Sequence, residues 1–139
     1  MRGLSGGYWR NWGTKHILAV KELDAEVNNG GFAQYYFNSS GDHWQDARNG
    51  LAAIGAGGRH RLMSATIETF GDVKPAVDRS TRTSQLSQVV RKKDDPFNEQ
   101  DSAWYQIEGE NLDRLIFKHN VANLGGREKA EPGDEREPE

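Results

Sequence analysis

The 139-residue chain contains no cysteine. That excludes disulfide staples and thiolate metal sites, and it fits a protein of the reducing cytoplasm, the expected location. Long apolar runs are also missing. No stretch approaches the ~18 apolar residues that a membrane-spanning helix needs. Residues 1–13, MRGLSGGYWRNWG, hold basic residues but no apolar segment of the signal-peptide kind. Hydrophobic residues make up 35% of the chain and mean hydropathy is -0.87, so the core is small and the surface very polar. The length still suffices for one domain with a real core.

A strong charge of one sign is lacking too, because the formal net charge is only -3. The distribution is uneven, however. Residues 1–93 hold 13 Lys and Arg against 8 Asp and Glu, whereas residues 94–139 hold 5 against 13. Residues 1–126 balance at 15 against 15, so the acidity of the whole chain lies in its last stretch. Any dense negative field must therefore come from the C-terminal third.

What the chain does have is helical periodicity. Residues 1–13 read as irregular, because Gly3, Gly6, Gly7 and Gly13 disfavour a helix, while Trp9 and Trp12 point to packing back onto the domain. A first helix is predicted over 15–28, capped by Thr14, with Ile17, Val20, Leu23 and Val27 as its apolar stripe. Asn28-Asn29-Gly30-Gly31 ends it, since Asn and Gly tolerate the left-handed conformation of a helix C-terminus. Phe32 to Asn38 reads as a short second helix with Phe32, Tyr35 and Tyr36 on one face. Ser40 or Asp42 then caps a helix over 43–55, whose stripe is Trp44, Ala47, Leu51 and Ile54. Further helices are predicted over 59–70, over 79–90 with Leu86, Val89 and Val90 on one side, around Trp104, and from Leu112 to about 124, where Gly125-Gly126 stops the last one. From Arg127 onward the chain is Pro, Gly and charge, which reads as disorder. The expected fold is thus all-α: a compact single domain of six or seven short helices over 1–126 and a disordered acidic tail over 127–139.

Catalytic chemistry finds little footing. His16, His43, His60 and His119 show no ligand spacing, and no H-E-x-x-H is present, so no metal is assigned. Gly55-Ala56-Gly57-Gly58 precedes a helix bearing Arg59 and Arg61, which could hold an anion, but the Walker lysine is absent. No cofactor is expected. Glu22 and Glu26 lie one turn apart, and Asp101, Glu108, Glu110 and Asp113 cluster late; solvated helix faces account for both. A basic strip of Arg79, Arg82, Arg91, Lys92 and Lys93, with Arg59 and Arg61 near it, lacks the interleaved aromatics of a nucleic-acid surface, so direct nucleic-acid binding is not expected. Asn28, Asn29, Gln34 and Asn38 read as groups that satisfy helix ends and buried backbone.

One stretch resembles a known family. ELDAEVNNGGFAQYYFNSSGD, Glu22 to Asp42, is similar to the shared core of the bacterial DNA-mimic-protein family, with Glu22, Asn28, Asn29, Gly30, Gly31, Phe32, Gln34, Tyr35 and Asn38 as its motif. ARNGLAAIGA at 47–56, the Phe97/Asp101/Trp104-Tyr105 spacing and the last helix through His119 extend the resemblance over roughly 16–124. It implies a compact helical domain without known catalytic residues. For the member that gives the family its name, it implies an acidic surface that imitates the DNA backbone and occupies a DNA-binding protein such as a transcription factor.

The expected function is accordingly a non-enzymatic, protein-binding domain, in its most concrete form a DNA-mimic-like regulator of an unidentified DNA-binding protein. Its expected surface is Asp94, Asp95, Glu99, Asp101, Glu108, Glu110 and Asp113. Two rivals stay open. One is a small-molecule-binding protein or enzyme with a pocket at Asn29, Gln34, Tyr35 and Asn38. The other is an immunity or accessory protein.

Overall fold

A computed structural model describes the backbone of residues 5–130 and the side chains of residues 15–124. The fold is all-α. The order is α1 (Ser5–Phe37), a 3-10 turn (Ser39–His43), α2 (Trp44–Ala53), α3 (Gly57–Glu68), α4 (Arg79–Lys92), α5 (Asn98–Gln106) and α6 (Leu112–Ala130), with no strand among the described residues. α2, α4, α5 and the 3-10 turn pack directly on α1, and α3 is bracketed by α2 and α5.

α1 is longer than its apolar stripe predicts. It starts at Ser5 and runs through the glycines of residues 5–13, so Thr14 lies inside the helix rather than at its cap. Each interior glycine costs about 1 kcal/mol relative to alanine, but extending an existing helix adds a hydrogen bond per residue without a new nucleus. The expected packing of Trp9 and Trp12 lies outside the described side chains. The Asn-Asn-Gly-Gly run ends the first helical arm of α1, as its composition predicts. Gly30 and Gly31 leave helical geometry, with Gly31 at φ 81°, and the chain resumes as a second arm over 32–37. The last helix likewise passes through Gly125-Gly126 to Ala130, and the rest of the expected tail, from 131, lies outside the described residues.

The predicted stripes form the core. Val20, Leu23 and Val27 of the first arm are fully buried, as are Phe32, Tyr35 and Tyr36 of the second, and Trp44, Ala47, Leu51 and Ile54 of α2 join them. Rings gather around the second arm. Phe32 meets Trp104 edge to face at 5.5 Å, Tyr36 meets Phe70 at 5.0 Å, and Phe97 lies 5.7 Å from Tyr36. Offset and edge-on aromatic pairs of this kind add to the stabilisation of burial itself. The Tyr36 hydroxyl shares a 2.6 Å hydrogen bond with Thr66, and burial pushes its phenol pKa well above the ordinary value.

α4 carries the main surprise of the core. Its buried side is Arg82, Leu86 and Val89, not Leu86, Val89 and Val90; Val90 is exposed. The Arg82 side chain is fully buried. Its Nε donates to Tyr36 O at 2.7 Å, Nη1 to Ala76 O and Val77 O at 3.0 and 2.9 Å, and Nη2 to Asn38 O at 2.8 Å. Nη2 also pairs with the Asp42 carboxylate at 2.9 Å. One guanidinium therefore gathers the end of α1, the 3-10 turn and the α3–α4 linker. Gly41 lies against it: a Cβ there would stand 2.7 Å from Tyr35 O and 2.9 Å from Arg82 Nε. Asp42 is thus engaged by Arg82 and Ser40 by Glu26, and neither caps α2, whose N-cap position is His43.

Arg82→Lys keeps the charge but not the fork that reaches four carbonyls and a carboxylate. The expected loss is on the order of 3 kcal/mol, read as a lower urea midpoint at unchanged slope. An unchanged midpoint would show that the arginine is not needed to close the fold.

Candidate functional site

The family-like stretch is the joint between the two arms of α1, and two sets of side chains fix its angle. From one side comes α5. Asp101 accepts a hydrogen bond from Phe32 N at 2.8 Å, Tyr105 donates to Val27 O at 2.7 Å, and Trp104 Nε1 donates to Asp24 at 3.0 Å. The break in the helix leaves Phe32 N without an intrahelical partner and frees Val27 O, so one helix satisfies both ends of the interruption. Gly31 is required here twice over, by its φ of 81° and because a Cβ would lie 2.5 Å from Asp101 Oδ2.

From the other side comes Glu26. Its carboxylate accepts from Gln34 at 2.7 Å, from Ser40 at 2.8 Å and from Asn38 at 3.2 Å. Gln34 and Asn38 thus bond to a carboxylate rather than to buried backbone, and Asn28 bonds to Asp24 at 3.1 Å. Burial pulls the Glu26 pKa up, but the hydrogen bonds from Gln34, Ser40 and Asn38 together hold it below the ordinary value of 4.5. Asp101 goes the other way. Burial raises its pKa above 3.8, the Phe32 N–H opposes that, and nearby Asp95 adds to it.

Of Asn29, Gln34, Tyr35 and Asn38, the residues of the alternative pocket, Tyr35 is fully buried, Gln34 and Asn38 are held by Glu26, and Asn29 lines a groove. That groove is open, with a volume of about 590 Å³, and is lined by Glu22, Glu26, Asp42 and His43 among others. On its rim His43 Nδ1 meets the Glu22 carboxylate at 3.3 Å. No grouping of His, Asp and Glu among the described residues is arranged to hold a metal ion.

The seven late carboxylates divide by role. Asp101 binds the joint. Glu110 accepts from the backbone N–H groups of Gly58 and Arg59 at the start of α3, and pairs with the Arg59 guanidinium at 3.5 Å. The helix start at Gly57-Gly58, able in principle to hold an anion, takes a carboxylate of the chain itself. Asp94, Asp95, Glu99, Glu108 and Asp113 are exposed, and none is in an ion pair among the described residues. The basic strip does not survive folding. Arg82 is buried, Arg59 is tucked over Trp104 at 5.0 Å, and Arg79 lies on Phe37 at 5.1 Å; Arg61, Arg91, Lys92 and Lys93 remain exposed. Sequence reasoning missed Glu26 and Arg82. A signal for Arg82 existed, since it shares the 82, 86, 89 spacing of the α4 stripe.

Because its folded pKa is depressed, Glu26 adds stability that is complete above 4.5 and lost as pH falls through the folded value. Asp101, with a raised pKa, adds stability that is complete below 3.8 and lost as pH rises through its folded value. Glu26→Gln should therefore destabilise most at neutral pH, with the gap to wild type closing below 4.5 in thermal melts; a gap independent of pH would refute the carboxylate's role. Asp101→Asn keeps an acceptor for Phe32 N–H, whereas Asp101→Ala leaves that donor unpaired and should cost about 1–3 kcal/mol more, checked by denaturant titration.

No curated protein and no solved structure matches the chain. The family model for DMP19-like proteins matches residues 12–121, the span that holds the joint, its Glu26 and α5 clamps and the first half of α6, and the chain belongs to the DMP19-like protein family.

Proposed function

We propose that the chain is a non-enzymatic, protein-binding domain that acts as a DNA-mimic-like regulator, presenting carboxylates to the DNA-binding surface of a partner protein. Family membership supports a role of this kind, and one observation about the chain carries it. Asp94, Asp95, Glu99, Glu108 and Asp113 are exposed and, among the described residues, in no ion pair, and they bracket α5 at its two ends. α5 is nine residues long, roughly 13 Å at the helical rise, on the scale of the ~12 Å major groove that separates phosphate rows in B-DNA. A basic protein surface shaped for two phosphate rows could read the two acidic groups in the same way. Asp101 and Glu110, which belong to the same run of acids, serve by holding the frame.

The reading is tested by affinity capture from the host at low salt, followed by competition on the captured DNA-binding protein. The chain should displace labelled duplex DNA, and raising salt from 50 to 300 mM should weaken the interaction steeply. The combined variant Asp94→Asn, Asp95→Asn, Glu99→Gln should weaken it by roughly tenfold or more through lost electrostatic complementarity. Capture of partners that bind no nucleic acid, or an affinity indifferent to salt, would sink the proposal.

A further inference from the structure

α6 is held differently from the other helices. Among the described residues, no hydrogen bond or ion pair joins it to another element. Arg114 N bonds to Asn111 just before the helix, and Asn123 pairs with His119 within it. Among the described side chains its apolar hold is confined to its beginning, where Ile116 is buried and Leu112 and Leu115 pack against the core. Beyond that, Phe117, Val121 and Leu124 are 68%, 54% and 57% exposed. Helices in water owe most of their stability to packing of an apolar face, so the placement of α6 relies on whatever fixes its start.

The polar tie nearest that start is Glu110, two residues upstream. Its carboxylate sits on the N-terminus of α3 against Gly58 N and Arg59 N, and its carbonyl accepts from Arg59 Nη1 at 2.6 Å. The positive end of a helix dipole and a guanidinium stacked on Trp104 make this a strong seat for one carboxylate. Gly109, immediately before it, has φ 81°, so the backbone at that point can turn where other residues resist. Seat, pivot and helix lie in sequence.

We propose that Glu110 is a releasable latch: seated on α3 it docks α6, and withdrawn it lets α6 swing about Gly109 while the body of α1 to α5 stays folded. The body's own ties run elsewhere, through Arg82, Glu26 and the α5 clamp on the joint. Release would also move Asp113, which lies beyond the pivot, relative to Asp94, Asp95 and Glu99. That consequence rests on the function proposed above; the latch does not.

The absence of native cysteine makes the test direct. Arg48→Cys on α2 and Asn120→Cys on α6, both at exposed positions, carry spin labels for pulsed distance measurement in the full chain. Two variants break the latch independently. Glu110→Ala removes the carboxylate. Gly58→Ala places a methyl 2.7 Å from Glu110 Oε2 and evicts it with Glu110 intact. The expected result is one narrow distance in the parent, a broad or shifted distribution in both variants, and amide exchange at Leu115 and Ile116 roughly tenfold faster or more, with Val20, Leu23 and Leu51 unchanged. Unaltered distances in both variants would overturn the proposal, because the apolar contacts would then suffice to dock α6. A broad distribution in the parent, or faster exchange throughout the core in both variants, would overturn it as well. No readout involves a binding partner, so failure here and failure of the functional reading are separable.

Discussion

A buried cation closes this fold. Arg82 has no exposure to solvent, yet it meets four backbone carbonyls and one carboxylate drawn from three separate segments. An unpaired guanidinium would be intolerable in that position, and so would the carbonyls that terminate α1 without a donor. Each solves the other's problem. The directional fork also settles more than apolar contact can, because the end of α1, the 3-10 turn and the α3–α4 linker must converge on fixed donor directions. The sharp turn after α1 follows, including the requirement that residue 41 have no side chain.

The same logic recurs in reverse with carboxylates. Asp101 fills the N-terminus of the second arm, Glu110 that of α3, and Asp78 that of α4, where it accepts from Thr81 N at 2.9 Å. Helix N-termini present unpaired N–H groups and the positive end of the dipole, so a carboxylate satisfies both demands. Two of these caps come from 51 residues or more away along the chain. They therefore tie distant segments together and do more than stop a helix from fraying. Glu26 plays a related part across the joint, replacing water around three amide and hydroxyl donors that would otherwise stand partly buried and unpaired.

This division explains what could be read from the chain and what could not. Apolar stripes are local, and Val20, Leu23 and Val27, or Trp44, Ala47, Leu51 and Ile54, declare their helices through spacing alone. The Asn-Asn-Gly-Gly break was legible for the same reason, and Gly30 and Gly31 leave helical geometry where the stop between two helices was expected. Polar partnerships are not local. Nothing at Phe32 announces an acceptor at Asp101, and nothing at Gly58 announces Glu110. Arg82 misleads because its neighbours Arg79, Arg91, Lys92 and Lys93 make it look like part of a solvated strip, when its register with Leu86 and Val89 places it inside. Helix ends fail for a different reason: Gly6, Gly7, Gly125 and Gly126 weaken a helix by an amount that continued hydrogen bonding can offset.

The joint and the acidic surface then turn out to share an element. α5 faces the joint with Asp101, Trp104 and Tyr105, and its two ends carry the exposed carboxylates of the proposed surface. Locking α5 against both arms of α1 fixes the distance and direction between those ends without any of the exposed acids taking part. Imitating a phosphate backbone demands this kind of rigidity, because like charges held near one another repel and would drift apart on a loose scaffold. Asp95 illustrates the constraint. It sits at φ 50°, a left-handed conformation that aspartate tolerates better than most residues, immediately before the Pro96-Phe97 entry into α5. Its carboxylate lies near enough to Asp101 to raise the latter's pKa. The clamp that holds the joint and an exposed carboxylate beside it are therefore coupled electrostatically, although burial of Asp101 is the larger cause of its shift and Asp95 the smaller.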